Sequence, residues 1–258
     1  MGRKSIELIL FIVLIFLLAF FLYKGATSSG YNWQWFRIDE FFLKFDKGKL
    51  ILGPFLKGLL ITFQISFLSF ILTNVLGFTF GIFRVLNSFV ARLLGYLYVE
   101  IFRNTPLIIQ ILFFYFVIAP VFNISGFWSA VIALSLFEGA YACEIVRAGI
   151  ESIDKGQWEA SFSLGLSKGN TISYIILPQA IKKVMLPLTN IFVSLIKDSA
   201  LVSVIAVYDL TMEAQKAISE TFMTFEIWLT VAFTYFLINV IILIMLRLFS
   251  YKMRWGDV

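Results

Sequence analysis

Seven charged residues lie within or beside long apolar stretches of this 258-residue chain. A charge at the centre of a membrane helix costs about 2.5–3.5 kcal/mol, so such residues usually face a bundle interior or a watery path. A zwitterionic molecule crossing a membrane would need both signs of charge along its route, and both are present. The candidates for such a path are Glu100, Arg103, Glu138, Glu144, Arg147, Lys197 and Asp198.

Structural pairing is the competing interpretation for these charges. Glu144 and Arg147 are three residues apart, as are Glu100 and Arg103, and opposite charges at that spacing can meet on one face of a helix. The long side chain of Arg147 can also extend to the edge of the membrane. Both interpretations therefore stay open for these residues.

Glu138 is the charge that its own helix can least easily pair, so it is the strongest single candidate for a path. Lys197 and Asp198 are adjacent and can instead hold an irregular helix, which is one way to form a site near the middle of a membrane. If the chain were a membrane-embedded enzyme, Glu138 and Glu144 would be its plausible pair of catalytic carboxylates.

Residues that the chain lacks exclude several kinds of chemistry. The run 165–169 fits the G-x-S-x-G pattern of a serine hydrolase, but the chain has no histidine to act as the base. A zinc site of cysteine and histidine ligands is excluded as well, because Cys143 is the only cysteine. There is also no G-x-x-x-x-G-K-[ST] phosphate-binding loop. We therefore expect no cofactor site and no catalytic residues, and any ATP would be bound by a separate protein.

The composition indicates a membrane protein. Hydrophobic residues make up 60% of the chain and charged residues 14%, against about 45–50% and about 25% in soluble domains. The net charge of +5 does not indicate a nucleic-acid partner, because the basic residues form no stripe or tail. They lie mainly at the ends of apolar stretches.

The predicted fold is all-α, a polytopic transmembrane helix bundle. A membrane span needs about 20 mostly apolar residues. Gly77 and Gly81 form a small-xxx-small pair that favours close helix contact, and Pro106 interrupts one of the spans. The predicted spans are 6–23, 55–83, 94–117, 127–150, 184–207 and 225–249, with a short turn over 119–126.

The first apolar stretch is expected to be retained, because it is longer than a typical signal-peptide core and no clean small-x-small cleavage site follows. After it, Gly25–Tyr31 is predicted to be a turn. In the next residues aromatic side chains such as Trp33 and Trp35 alternate with charged ones. That mixture predicts a segment lying in the membrane interface.

The distribution of basic residues predicts that both termini are cytoplasmic, because the inner segments then hold more of them. The bias is weakened by 25–57, which carries most of the outer positive charge. The inner residues are Arg3, Lys4, Arg84, Arg92, Arg147, Lys155, Lys168, Lys182, Lys183, Arg247, Lys252 and Arg254, and the outer ones are Lys24, Arg37, Lys44, Lys47, Lys49, Lys57 and Lys216.

The polar segment 151–183 is predicted to form a helix-turn-helix element. Asp154 can cap a helix start with Gln157 as its capping-box partner, and Gly165 is the residue type that ends helices. Ser167 can cap a second short helix, which should stop near Pro178. The apolar residues of this element would need a partner surface, unless it is an ordinary loop packed on its own bundle; they are Trp158, Phe162 and Leu166.

The run Glu159-Ala160-Ser161, followed by Gly165 and Pro178, resembles the signature loop of ABC importer permeases. That signature has Glu-Ala-Ala, then a glycine and a proline at these spacings. Ser161 replaces the second alanine of the family pattern, and both residues are small.

Longer motifs make the chain similar to the branch of that family that takes up polar amino acids of the histidine, glutamine, glutamate, arginine and cystine type. The resemblance covers about 55–250, so 1–54 resemble an addition to a five-helix permease core. The motifs are 98–107, 139–141, 144–150, 155–160, 177–180 and 194–199.

The resemblance implies a permease subunit of an ATP-driven importer in a bacterial inner membrane. It implies separate ATPase subunits, an extracytoplasmic amino-acid-binding protein, and a second permease that is either an identical copy or a paralogue. An ion-coupled secondary carrier is the alternative, although no internal repeat supports it. The residues that would couple to the ATPase are Trp158, Glu159, Ala160, Ser161 and Gly165.

Overall fold

The computed structural model describes residues 3–28, 30–46 and 49–252, and most of them are helical. Lys47 and Arg254, which entered the charge comparison above, lie outside the described residues. The elements are α1 (Arg3–Ser28), α2 (Asp39–Phe42), β1 (Leu43–Asp46), β2 (Lys49–Leu52), α3 (Pro54–Val85), α4 (Phe89–Arg103), α5 (Leu107–Phe113), α6 (Ala119–Phe122), α7 (Gly126–Glu151), α8 (Lys155–Ser163), α9 (Lys168–Asn170), α10 (Leu177–Asp198), α11 (Leu210–Thr221) and α12 (Thr224–Lys252).

The predicted all-α membrane bundle is confirmed. Among the described residues, four helical stretches are long and apolar enough to cross a membrane, namely Pro54–Val85, Gly126–Glu151, Lys168–Ile205 and Thr224–Leu248. A fifth span is formed if the bent pair α4 and α5–α6 counts as one. Preceding these is α1, in which Glu7–Leu17 is an apolar helix.

The third predicted span is broken more sharply than the sequence indicated. Its two halves, Phe89–Arg103 and Leu107–Phe122, are bent by 101°. Pro106 lies at the break with an extended ψ of 136°, and it has no backbone N–H with which to continue the first helix. The turn predicted over 119–126 is wrong in its first half, because α6 occupies 119–122 before Asn123 ends it with a φ of 52°.

The predicted stop near Pro178 is wrong, and the helix that contains the fifth predicted span begins before 184. A continuous helical stretch runs from Lys168 to Ile205. It passes through a π-helical segment, Thr171–Ile176, immediately before Pro178. A π segment already interrupts the i→i−4 hydrogen-bond ladder, so the helix can accommodate a proline there without ending.

The turn predicted over Gly25–Tyr31 is wrong for its first residues, because α1 continues to Ser28. The hydroxyl groups of Thr27 and Ser28 donate to the carbonyl oxygens of Tyr23 and Gly25, which satisfies acceptors that a helix end leaves open. Further along the chain, β1 and β2 form an antiparallel hairpin in which Leu43 pairs with Leu52. The sequence analysis did not predict this hairpin.

The core of the bundle is the contact between α3 and α7. A Cβ atom on Gly77 would overlap Ala142, and one on Gly81 would lie 2.8 Å from the Cβ of Val146, so the predicted close contact is confirmed. Fully buried Cys143 fills space in the same region. We call the end of the bundle with β1 and β2 the hairpin end, and the opposite end, with α8, the loop end.

Candidate functional site

The segment at the loop end begins with a well-defined short helix, α8. The Asp154 carboxylate accepts a hydrogen bond of 2.7 Å from the backbone N–H of Gly156. At the other end of α8, Gly165 has a φ of +77°, and its N–H donates to Phe162 O at 2.9 Å while the N–H of Leu166 donates to Ser161 O at 3.2 Å. These bonds form a Schellman motif, in which a left-handed residue ends the helix.

One face of α8 is free of the bundle and the other is buried in it. Glu159 and Ala160 are exposed, and Phe162 and Leu164 are 47% and 81% exposed. Ser161, by contrast, is only 3% exposed. The outer face of α8 and the residue that follows it therefore carry exposed apolar side chains.

Trp158 is partly buried and packs against the main hydrophobic core, so the bundle itself already holds part of this residue. The bundle of this chain therefore supplies part of the partner surface that the sequence predicted for Trp158.

Polar contacts fix this segment to the neighbouring helices. The Lys168 ammonium group donates to the side-chain oxygen of Asn87 at 2.6 Å, in the short connection between α3 and α4. The ammonium group of Lys183 donates to Ser152 O at 2.9 Å. These bonds join α9 to the α3–α4 connection and α10 to the end of α7, on either side of α8.

Glu144 and Arg147 belong to an ion-pair network at the loop end. Glu144 binds Arg147 at 2.9 Å and also Arg84 of α3, and Arg147 binds Glu151 at 2.6 Å. The predicted pairing of Glu144 with Arg147 is thus present in the structure. Arg84 was missed because it is 60 residues away in sequence.

Glu138 lies in a separate place, a cleft of about 380 Å³ between α7 and α10. It is 6% exposed, and it interacts with the carboxyl group of Asp198 and, through space, with the ammonium group of Lys197. The α-helix ends at Asp198 and continues as a 3₁₀-helix over Ser199–Ile205. The irregular helix that the sequence allowed for at this point is present. The remaining residues that line the cleft are Phe137, Tyr141, Ile145, Pro187, Asn190, Ile191 and Ser194.

Glu100 and Arg103 do not pair with each other, although their spacing permits it. Glu100 is exposed and accepts a hydrogen bond of 2.8 Å from the Asn104 side chain. The Arg103 guanidinium group lies 5.0 Å from the ring centroid of Tyr141, a lining residue of the cleft. The cleft is therefore lined by one carboxylate, that of Glu138, and the Arg103 guanidinium group lies next to its lining residue Tyr141.

Two buried carboxylates at the hairpin end were missed by sequence reasoning. Glu226, which is 0% exposed, accepts hydrogen bonds from the Tyr31 hydroxyl and, at 2.6 Å, from the backbone N–H of Gln34. Asp209, also 0% exposed, caps α11 by accepting from Met212 N at 2.8 Å. Burial raises the pKa of Asp209 to about 6. Asp209 precedes an apolar-periodic helix, and that capping position is the signal that could have found it.

Comparison with known proteins gives a consistent picture. Residues 73–255 match the model of the family "Binding-protein-dependent transport system inner membrane component". The glutamine transport system permease protein GlnP of Escherichia coli (strain K12) is 36% identical over 202 residues, which are 77% of this chain and 92% of GlnP. The arginine transport system permease protein ArtQ of Bacillus subtilis (strain 168) is 34% identical over 207 residues, covering 79% of this chain and 94% of ArtQ.

A solved structure described as an amino acid ABC transporter with histidines has the same fold. It superimposes with a TM-score of 0.71 at 35% identity, covering 77% of this chain and 94% of the other. An inward-facing structure of the MetNI methionine ABC transporter superimposes with a TM-score of 0.63 at 19% identity, a likeness of fold alone.

Proposed function

We propose that this chain, which belongs to the family of binding-protein-dependent transport system inner membrane components, is the membrane-spanning permease of an ATP-driven importer of polar amino acids. Relatives named for glutamine, glutamate/aspartate and arginine transport support this substrate class. The permease core is assigned to 55–250, and 1–54 are an addition to it.

The observation that carries the proposal is the construction of α8. Its outer face, with Glu159, Ala160 and Phe162, is exposed. Ser161 is buried against the bundle, and the Lys168–Asn87 bond holds the next helix, α9, to the α3–α4 connection. Such a helix can receive a push from a partner and pass it on as a rigid-body movement of the helices it joins. The partner is a separate ATPase, which binds ATP, so the permease itself is not an enzyme.

In this assignment the loop end lies in the cytoplasm, together with both termini. The hairpin end then faces outward, where a soluble binding protein delivers the amino acid. A second permease, identical or paralogous, completes the membrane part of the complex, and two ATPase subunits bind at the loop end.

The cleft with Glu138 is the proposed route of the substrate. An amino acid carries an ammonium and a carboxylate group, and the cleft offers Glu138, which interacts with Asp198, to the first and Arg103, beside the lining residue Tyr141, to the second. Lys197 supplies a further positive charge at the end of α10. Glu144 and Arg147 are assigned a structural role, because they neutralise each other and are further paired with Arg84 and Glu151.

Uptake by the reconstituted complex tests the function. The full chain is purified with its ATPase and second permease and placed in liposomes with the binding protein outside. We expect accumulation of a labelled polar amino acid that requires both ATP and the binding protein, with a panel of basic, acidic and amide amino acids identifying the substrate. Uptake driven by an ion gradient without ATP would overturn the proposal in favour of a secondary carrier.

A matched pair of substitutions tests the role of α8. Ala160→Asp places a charge on the exposed face of α8, and we expect the ATPase to be lost from the purified complex. Gln215→Asp places the same charge on the exposed face of α11 at the opposite end, where the ATPase should stay bound. Equal retention of the ATPase by both variants would contradict the assignment.

The sidedness is tested with a cysteine at an exposed position of α8. Ser163→Cys, in a chain whose native Cys143 is buried, should react with a membrane-impermeant maleimide only after the cells are opened. Reaction in intact cells would place α8 outside and remove any possible contact with ATP-hydrolysing subunits.

A further inference from the structure

The hairpin of β1 and β2 has one apolar face. Its register pairs Leu43 with Leu52 and, two residues on, Phe45 with Leu50. Since side chains alternate across a strand, these four positions share one face. The opposite face carries Lys44 paired with Ile51, and Asp46 paired with Lys49. The hairpin is therefore amphipathic, and it lies outside the residues matched by the family model.

Two residues of the apolar face are open to the surroundings. Leu43 and Leu52 are 44% and 45% exposed. A two-stranded hairpin is at best marginally stable in water unless a surface covers its apolar side. The hairpin accordingly requires something against which this face can pack.

The position of the hairpin identifies that surface as lipid. β2 ends at Leu52, and the membrane span α3 begins two residues later at Pro54. Leu60, Phe67 and Ile71 form an exposed apolar stripe on α3, and on a membrane span such a stripe is the surface expected to meet hydrocarbon. Because only Gly53 separates β2 from α3, the hairpin lies at the start of that surface.

The segment immediately before the hairpin supports the same conclusion. Trp35 and Phe36, in a short 3₁₀-helix, are 49% and 78% exposed. Aromatic residues of this kind are enriched where a membrane meets water. The exposed lysines Lys44 and Lys49 give the polar face the charge that suits the phosphate groups of lipid heads.

We propose that residues 35–46 and 49–52 form a lipid anchor, in which the apolar face of the hairpin lies in the interface of the leaflet at the hairpin end and Lys44 and Lys49 lie among the lipid headgroups. The anchor fixes the start of α3 at a set depth. It also gives a reason for the basic residues of this segment, which lie on the outer side of the membrane, where the bias of basic residues toward the cytoplasm predicts few.

Spin labels on the two faces test the anchor without any transport assay. The labels are attached in the full-length complex, in lipid nanodiscs, to Leu43→Cys and Leu52→Cys on the apolar face and to Lys44→Cys and Ile51→Cys as matched controls on the other face. Native Cys143 is replaced by alanine. Collisions with oxygen, which concentrates in lipid, and with a water-soluble nickel chelate are then compared.

We expect the ratio of oxygen to nickel collisions to be several-fold higher at 43 and 52 than at 44 and 51. Equal ratios with strong nickel collisions at all four positions would place the hairpin in water and overturn the proposal. Weak collisions with both reagents at 43 and 52 would also overturn it, because protein would then cover that face. A fall in collisions with both reagents at 43 and 52 that occurs only after the soluble binding protein is added would overturn the proposal too, because this face would then be a protein-docking surface.

Discussion

The two ends of the bundle hold their charges in opposite ways. At the loop end Glu144 is paired with Arg84 and Arg147 in partly exposed contacts. At the hairpin end Glu226 and Asp209 are completely buried, and among the described residues neither has an ion-pair partner. Their carboxylates accept hydrogen bonds from neutral donors instead.

This difference makes the loop end easier to rearrange than the hairpin end. A partly exposed ion pair contributes about 1 kcal/mol or less and can exchange partners with water. A buried carboxylate that loses its donors leaves unsatisfied groups that cost about 1–3 kcal/mol each. A permease pushed from the loop end would gain from a fixed opposite end, against which the helices can tilt.

The largest effect is expected at the loop end from Gly165→Pro. The φ of +77° at Gly165 is impossible for proline, and proline also lacks the N–H that donates to Phe162 O. Uptake should be abolished while the chain still inserts in the membrane. Gly165→Asn is the control, because asparagine tolerates the left-handed conformation and should keep most of the uptake. Normal uptake by the proline variant would mean that the left-handed end of α8 is not needed for coupling to the ATPase.

The next largest effect is expected at the hairpin end from Glu226→Ala. The Gln34 N–H would lose its acceptor and the Tyr31 hydroxyl would lose the shorter of its hydrogen bonds, keeping that of 3.4 Å to Phe222 O, and the free energy of unfolding should fall by about 1–3 kcal/mol. The apparent unfolding temperature in detergent measures this. Glu220→Ala, which changes an exposed glutamate at the end of α11, should leave that temperature nearly unchanged. Similar effects of both substitutions would remove the contrast between the two ends.

A smaller and pH-dependent effect is expected from Asp209→Asn. The folded pKa of Asp209 is raised from 3.8 to about 6 by burial, so the unfolded chain binds fewer protons between these values. Stability therefore falls as the pH rises through this window, and it is lowest above pH 6, where the buried group is charged. Asparagine keeps the cap of α11 without this charge.

Unfolding temperatures of the two proteins between pH 4 and pH 7, the range around the shifted pKa, measure this effect. The unfolding temperature of the variant should increase relative to that of the wild-type protein as the pH rises. A constant difference across the range would show that Asp209 does not titrate in this window.

The sequence predicted the spans and the loop well, because both depend on local signals. Apolar length located α3, α7 and α12 within a few residues. The capping residues Asp154 and Ser167 and the left-handed Gly165 are where the pattern placed them. Such features are decided by neighbours in sequence, which a single chain displays directly.

The errors lie where a distant contact or a backbone adjustment decides the outcome. Pro178 does not end its helix because a π segment precedes it, and no local residue pattern announces such a segment. The partner of Glu144 across the bundle, Arg84, and the partners of Glu226 from the N-terminal segment are far away in sequence. The hairpin was missed because its strands are only four residues long.

The smallest effect is expected from Arg84→Gln at the loop end. Glu144 would lose one partner but keep Arg147, so the free energy of unfolding should fall by no more than about 1 kcal/mol. The difference should shrink further in high salt, because salt screens partly exposed charges. Arg92→Gln is the control, since Arg92 has no ion pair within the described part of the chain and is exposed. If Arg84→Gln lowered the unfolding temperature more than Glu226→Ala, the loop end would be the rigid one, and the idea that helices tilt against a fixed hairpin end would fail.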